Sequence, residues 1–203
     1  MNILTNDNKF ALWNNKALQF VVSEPVDPLN PLGLPANTIR VKFSSGYTPT
    51  MGDTQTLVDS TTNVWDIYKQ SNDWGDLFND NNNLLEVLGA NTTNVTRMVR
   101  LFNSCDLLTS VSLFDTSNIT SMSSMFYQCY NLTSIPLFDT SKVTSMNSTF
   151  YNCYYVQSGA LALYQQASTQ TTPPSSHIST FSGCGQNSST GRAELAQIPS
   201  DWK

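Results

Sequence analysis

The sequence predicts an α/β fold: a short solenoid of 24-residue helix–strand repeats, with an N-terminal β-rich unit and a C-terminal cap. Three observations predict it. One pattern is written three times, as NTTNVTRMVRLFNSCDLLTSVSLF (91–114), DTSNITSMSSMFYQCYNLTSIPLF (115–138) and DTSKVTSMNSTFYNCYYVQSGALA (139–162), at a constant step of 24. A fixed period of about 20–50 residues marks units that are stable only when stacked on their neighbours. Inside each copy, apolar residues recur at three- and four-residue steps and then alternate, as in a short helix followed by a strand. Residues 1–66 lack the period and carry strand and turn signals instead. The expected organisation is therefore an N-terminal β-rich cap or attachment unit (1–66), a solenoid (67–157) and a C-terminal capping region (158–203). The solenoid divides into a degenerate copy at 67–90 and repeats at 91–114, 115–138 and 139–157.

The N-terminal MNILTNDNKFALW lacks a basic head followed by a long apolar run, so it reads as neither a signal peptide nor a membrane span. Residues 10–13 and 17–22 read as a β-hairpin over an Asn14-Asn15 turn. Pro25, Pro28, Pro31 and Pro35 then forbid helix and favour an extended crossing segment. Residues 39–43 alternate apolar and basic side chains as a half-buried strand does, and a second strand pair is expected at 56–58 and 64–68. This unit reads equally as a cap over the open end of a repeat stack and as an attachment module for a larger particle.

In the degenerate copy, Trp74 stands in the position of Met98, Phe78 in that of Phe102, Leu84 in that of Leu108 and Asn81 in the cysteine position. The Asn-rich run 80–83 lacks the Gly and distal Glu of an EF-hand and reads as a turn. In the copy at 115–138, Ile119, Met122, Met125, Phe126 and Cys129 form one helical stripe, with Asp115, Thr116 and Ser117 ahead of it as caps. Leu132, Ile135 and Leu137 follow as a short half-buried strand.

Cys105, Cys129 and Cys153 occupy one repeat position, which favours a ladder of free, buried thiols. Disulfides are the rival reading. In-phase residues point the same way, whereas a disulfide needs facing Cβ atoms about 3.5–4.5 Å apart. No C-x-x-C occurs, and the lone histidine, His177, reads as a surface residue, so no metal site is expected. Past the repeats, residues 158–167 form a helix, Pro173-Pro174 ends it, and 180–184 echo 149–153 before a last helical turn at 192–197.

The phased elements [IV]-T-x-M-x-x-[MTL]-F-x-x-C-x-x-[LV]-T-S-[IV]-x-L-F-D-T-S closely resemble the BspA-like leucine-rich repeats of bacterial and bacteriophage proteins over about residues 91–156. The first copy departs with Asn91 and Arg100, and the third loses its strand signature after Val156. The resemblance implies a leucine-rich-repeat solenoid. It also implies one of two settings: exported surface adhesins of bacteria, or structural proteins of tailed phages, which leave the host by lysis and need no export signal. With no signal after Met1, the expectation is a virion structural protein: a head fibre, decoration or tail-associated adhesion module. Its partners would be other virion proteins at residues 1–66 and a host surface glycan or protein at the repeats. A homo-oligomer is compatible with this, although no heptad or collagen-like segment specifies one. The alternative is a bacterial cell-surface adhesin or a protein-interaction module.

Charged residues make up 12 %, about half the usual share, and the formal net charge is −5. No basic stripe is present, which argues against nucleic acid as a partner. Six N-x-[ST] sequons, at Asn91, Asn94, Asn118, Asn131, Asn147 and Asn187, fall out of the repeat consensus. No acid pair, nucleophile–base set or phosphate loop is assembled, so neither an enzyme nor a cofactor is expected, and Asp115 and Asp139 read as caps. The candidate ligand surface is aromatic: Tyr127 with Tyr151, Tyr130 with Tyr154, and Phe114 with Phe138, each pair at equivalent repeat positions. Such ladders can stack sugars or make protein hot spots. For the phenylalanines, packing of the turn is the favoured reading, whereas the tyrosines read equally as a ligand surface and as a cover over the repeat.

Overall fold

The computed structural model describes residues 3–4, 9–14, 17–22 and 27–203, the strands before residue 27 as backbone only. The Asn14-Asn15 turn and Pro25 therefore lie partly or wholly outside the described residues. Strands β1 (Ile3–Leu4), β2 (Lys9–Asn14) and β3 (Ala17–Val22) pair antiparallel in that order. The larger sheet contains β4 (Thr38–Phe43), β5 (Thr54–Asp59), β6 (Val64–Tyr68), β7 (Leu84–Asn91) and β8 (Ser110–Val111), in the order β5-β6-β4-β7-β8. All its pairings are antiparallel except β7 with β8.

Alternation builds the sheet. Ile39, Val41 and Phe43 enter the core at no more than 1 % exposure. Arg40 and Lys42 point the other way. Arg40 grips Asp66 on β6 with two bonds of 2.7 and 2.8 Å, and Lys42 reaches Glu86 on β7 at 2.7 Å. Each pair sits at directly opposed register positions. Because β7 follows residue 66, the sheet draws strands from both sides of that boundary.

The expected fold class is overturned. The chain is a mostly-sheet domain with a five-stranded mixed sheet, not an α/β leucine-rich-repeat solenoid of helix–strand repeats. Among the described residues the two α-helices, α1 (Ala160–Thr169) and α2 (Ser189–Gln197), are short, and both lie beyond residue 157. The reason is in the backbone. Ser124 and Gln128 have φ of 55° and 58°, in the left-handed region that an α-helix excludes. Each is the third residue of a turn, closed by Met125 N to Met122 O at 3.0 Å and by Cys129 N to Phe126 O at 3.2 Å. Positive φ at that place is the mark of a type II turn. The amides of Met122, Ser124, Phe126 and Gln128 donate instead to Ser145, Asn147, Thr149 and Tyr151 at 2.8–3.0 Å. A helix would have sent them four residues back.

Two further expectations fall with the helix. Asp115 and Asp139 cap nothing helical; each accepts the amide two residues on (Ser117, Ser141) at 2.8 Å, a local turn bond. The 132–137 segment holds an isolated bridge at Ser134 rather than a strand; Ile135 is buried and Leu137 is 52 % exposed.

The core runs from the sheet through the turns as a row of buried phenylalanines. Phe78, Phe102, Phe126, Phe150 and Phe181 stack at centroid spacings of 5.6, 5.2, 5.3 and 5.7 Å. Beyond the third copy, residues of the 158–203 segment meet partners that the next copy meets earlier in the chain. Thr116 Oγ1 donates to the Asp139 carbonyl, whereas Thr140 Oγ1 donates to Gln170 Oε1 at 2.9 Å, and Gln170 Nε2 returns a bond to Thr140 O at 3.0 Å. Trp202 packs against Phe181, and His177 stacks on Trp202 at 4.2 Å, so His177 is a packed side chain rather than a plain surface residue.

Candidate functional site

The turns decide where each tyrosine goes. Phe126 and Cys129 are fully buried, so Tyr127 and Tyr130, one position later on the ribbon, are left half-buried at its outer side. Tyr151 and Tyr154 repeat this after Phe150 and Cys153. The Gln128 amide holds the Tyr151 carbonyl at 2.8 Å, fixing the two backbones at sheet-like spacing. The rings follow. Tyr127 and Tyr151 stack at 4.9 Å and 6°, and Tyr130 and Tyr154 at 5.3 Å and 16°.

On the side toward the sheet the aromatic rows give way to amides and acid. Asn103 Nδ2 donates to Asn79 Oδ1 at 2.7 Å in line with Tyr127, and the Asp106 amide donates to Asn82 Oδ1 at 3.0 Å in line with Tyr130. Burial raises the Tyr130 hydroxyl above the usual tyrosine range, with the Asp106 carboxylate adding to it. Burial, with Asp80 nearby, raises Asp106 as well. The surface is thus uncharged over the tyrosines and acidic beside them, a place for stacking and hydroxyl bonding rather than for an anion.

Phe114 and Phe138 do not belong to this surface. They are 1 % and 0 % exposed, 5.3 Å apart, and Phe138 also packs on Phe126 at 6.1 Å, so no ligand reaches them. Tyr155, 48 % exposed beside Tyr154, was missed in the sequence because no copy repeats it. Leu113 and Leu137, 41 % and 52 % exposed and one repeat apart, were missed because their position read as a strand interior.

All four cysteines are free and buried, and Cys105, Cys129 and Cys153 each donate to the carbonyl of Phe78, Phe102 and Phe126 at 3.0 Å. Among the described residues, no three His, Cys, Asp or Glu side chains are grouped to hold a metal ion, and no helix is long and apolar enough to cross a membrane.

Fold and surface together define a mostly-sheet protein that carries paired, half-exposed tyrosine stacks on a ribbon of turns. The family described as "Mycoplasma protein of unknown function, DUF285" matches residues 51–172, more than half of the chain, and the chain belongs to that family. No curated protein and no solved structure matches it.

Proposed function

We propose that the chain is a non-enzymatic recognition module of a bacteriophage virion, serving as a head fibre, decoration or tail-associated adhesion part. In this reading residues near the N-terminus contact other virion proteins, and the tyrosine surface meets a host surface glycan or protein. The observation that carries the recognition role is the pair of tyrosine stacks, held in register by backbone bonds and left half in solvent. Pre-ordered aromatic faces bind with little ordering cost. The virion placement is supported by the resemblance of the 24-residue motif to repeats in phage structural proteins. A second reading, a bacterial cell-surface adhesin or protein-interaction module, is favoured by the family description, which names Mycoplasma.

Mass spectrometry on density-banded virus particles separates the two. Stoichiometric recovery with the capsid supports the virion part, and the copy number tells a decoration from a tail tip. Absence from particles with recovery in a cell envelope overturns it in favour of the adhesin. A turnover abolished by one point mutation would overturn the non-enzymatic reading.

A further inference from the structure

A cleft of about 510 Å³ opens beside the larger sheet, between the 44–48 loop, the 60–63 turn and edge strand β5, away from the tyrosine stacks. Its apolar lining includes Trp65, Tyr47 and Leu57, with Phe43 and Leu85, and Leu57 lies directly across the strand pair from Trp65 at 46 % exposure. One residue locks it together. Asn63, at φ 53°, donates from Nδ2 to the carbonyls of Ser44 and Tyr47 at 2.7 and 2.8 Å, and its Oδ1 accepts the Trp65 indole N–H at 2.8 Å. The Tyr47 ring is braced 4.9 Å from Phe43, and its hydroxyl accepts from Asn81 Nδ2 at 3.2 Å. The walls are therefore set before anything binds.

The chemistry of the lining narrows the ligand. With its only donor already taken, the Trp65 indole has its ring face left to offer. The charged groups nearby are also taken. Lys42 is paired with Glu86 at 2.7 Å, and the Asp59 carboxylate accepts from the Thr61 amide and from the Thr61 and Thr62 hydroxyls at 2.6–2.8 Å. Those bonds hold Asp59 down at about 2, so it is charged and satisfied within its own turn. What remains on the rim are the hydroxyls of Ser45, Thr48 and Ser60. Among the described residues of the lining an anionic ligand finds no unpaired cation, and a purely apolar one would leave these hydroxyls without partners. A ring with one apolar C–H face and a hydroxyl edge suits both surfaces, and the volume, toward the small end of ligand sites, holds one or two such rings.

We propose that this cleft is a binding site for a neutral carbohydrate, one or two sugar rings stacked on Trp65 and bonded at their edges by Ser45, Thr48 and Ser60. The inference goes beyond the recognition reading, since it concerns a different surface and holds whether the protein rides on a particle or a cell.

The test is chemical-shift mapping on the full chain with a panel of neutral di- and trisaccharides built from glucose, galactose, mannose and N-acetylglucosamine. The expected result is a saturable shift of the Trp65 indole and Asn63 side-chain amide signals with at least one sugar. Leu57→Arg, a substitution at an exposed edge position, should then weaken binding about tenfold or more by filling the cleft mouth. Tyr127→Ala with Tyr151→Ala should leave these shifts unchanged. No saturable shift at Trp65 and Asn63 with any sugar of the panel overturns the proposal, as do shifts confined to the tyrosine stacks, which would leave the proposed function standing.

Discussion

The Cys129 thiol donates to the Phe102 carbonyl at 3.0 Å, across 27 residues of sequence, and the same bond recurs from Cys105 to Phe78 and from Cys153 to Phe126. Each sulfur is thus both packing and donor, at 0 % exposure. Burial pushes the Cys105 thiol up to about 12, and Cys129, Cys153 and Cys184 also stand above the usual thiol range. In the unfolded chain the thiols ionise near pH 8.5. The folded state keeps its protons above that value and the unfolded state loses them, so stability is full below about pH 8.5 and falls as pH rises through the alkaline range. Urea melts from neutral pH to about pH 10 should show this decline. A thiol reagent should find the native protein unreactive and label it only at the rate of unfolding. Rapid labelling of native protein at neutral pH would contradict the ladder.

The turn ribbon makes a prediction whose sign separates it from a helix. In a helix, Ser124→Gly would destabilise by several tenths of a kcal/mol, since glycine is the poorer helix former. At φ 55° the side chain is itself the strain, so the same change should stabilise by up to about 1 kcal/mol. Ser124→Val should move the other way by about 1–2 kcal/mol, because a β-branched residue tolerates this region least. Paired thermal melts decide it, and a lower melting temperature for the glycine variant would speak for a helix.

These residues also explain what the sequence made legible. The spacing of Met122, Met125, Phe126 and Cys129 is what one face of a helix presents. Two successive four-residue turns place the same side chains inward with nearly the same period, so apolar periodicity alone cannot separate the two. The discriminating signal stood at the polar positions. Residues 80, 104, 128, 152 and 183 read Asp, Ser, Gln, Asn and Gly down one repeat position, and every one has positive φ. Asp, Asn and Gly sharing a position point to left-handed backbone. The 24-residue step itself was legible because it sets which amide meets which carbonyl: Thr120 N to Thr96 O and Thr144 N to Thr120 O, both at 2.9 Å. The tyrosine rows followed from that step. The Trp65 cleft did not, because its parts come from a loop, a turn and the paired strands β5 and β6, joined only by folding.

Stacking should contribute modestly to stability at the tyrosine surface. A double-mutant cycle on Tyr127→Ala and Tyr151→Ala is expected to return a coupling of about 0.5–1.5 kcal/mol, as for other stacked aromatic pairs. The total loss should stay far below that of a buried phenylalanine such as Phe126→Ala, which should cost about 3–5 kcal/mol. A collapse on removing the tyrosines alone would make the pair structural and leave recognition to other residues.

The family match begins at residue 51, yet β4, at 38–43, lies between β6 and β7 in the sheet. Removing it strips Ile39, Val41 and Phe43 from the core and uncovers Ile67, Val87 and Ala90 on its neighbours. Each large side chain contributes about 1.5–3 kcal/mol by burial, so the three together approach the whole stability of an ordinary domain, about 5–15 kcal/mol. Two edges left unpaired would add aggregation to the loss. A chain of residues 51–203 should therefore be unfolded or insoluble by circular dichroism and sedimentation. A chain of residues 27–203, which keeps all five strands, should melt cooperatively. If 51–203 melts like 27–203, β4 is an accessory to a unit that stands without it.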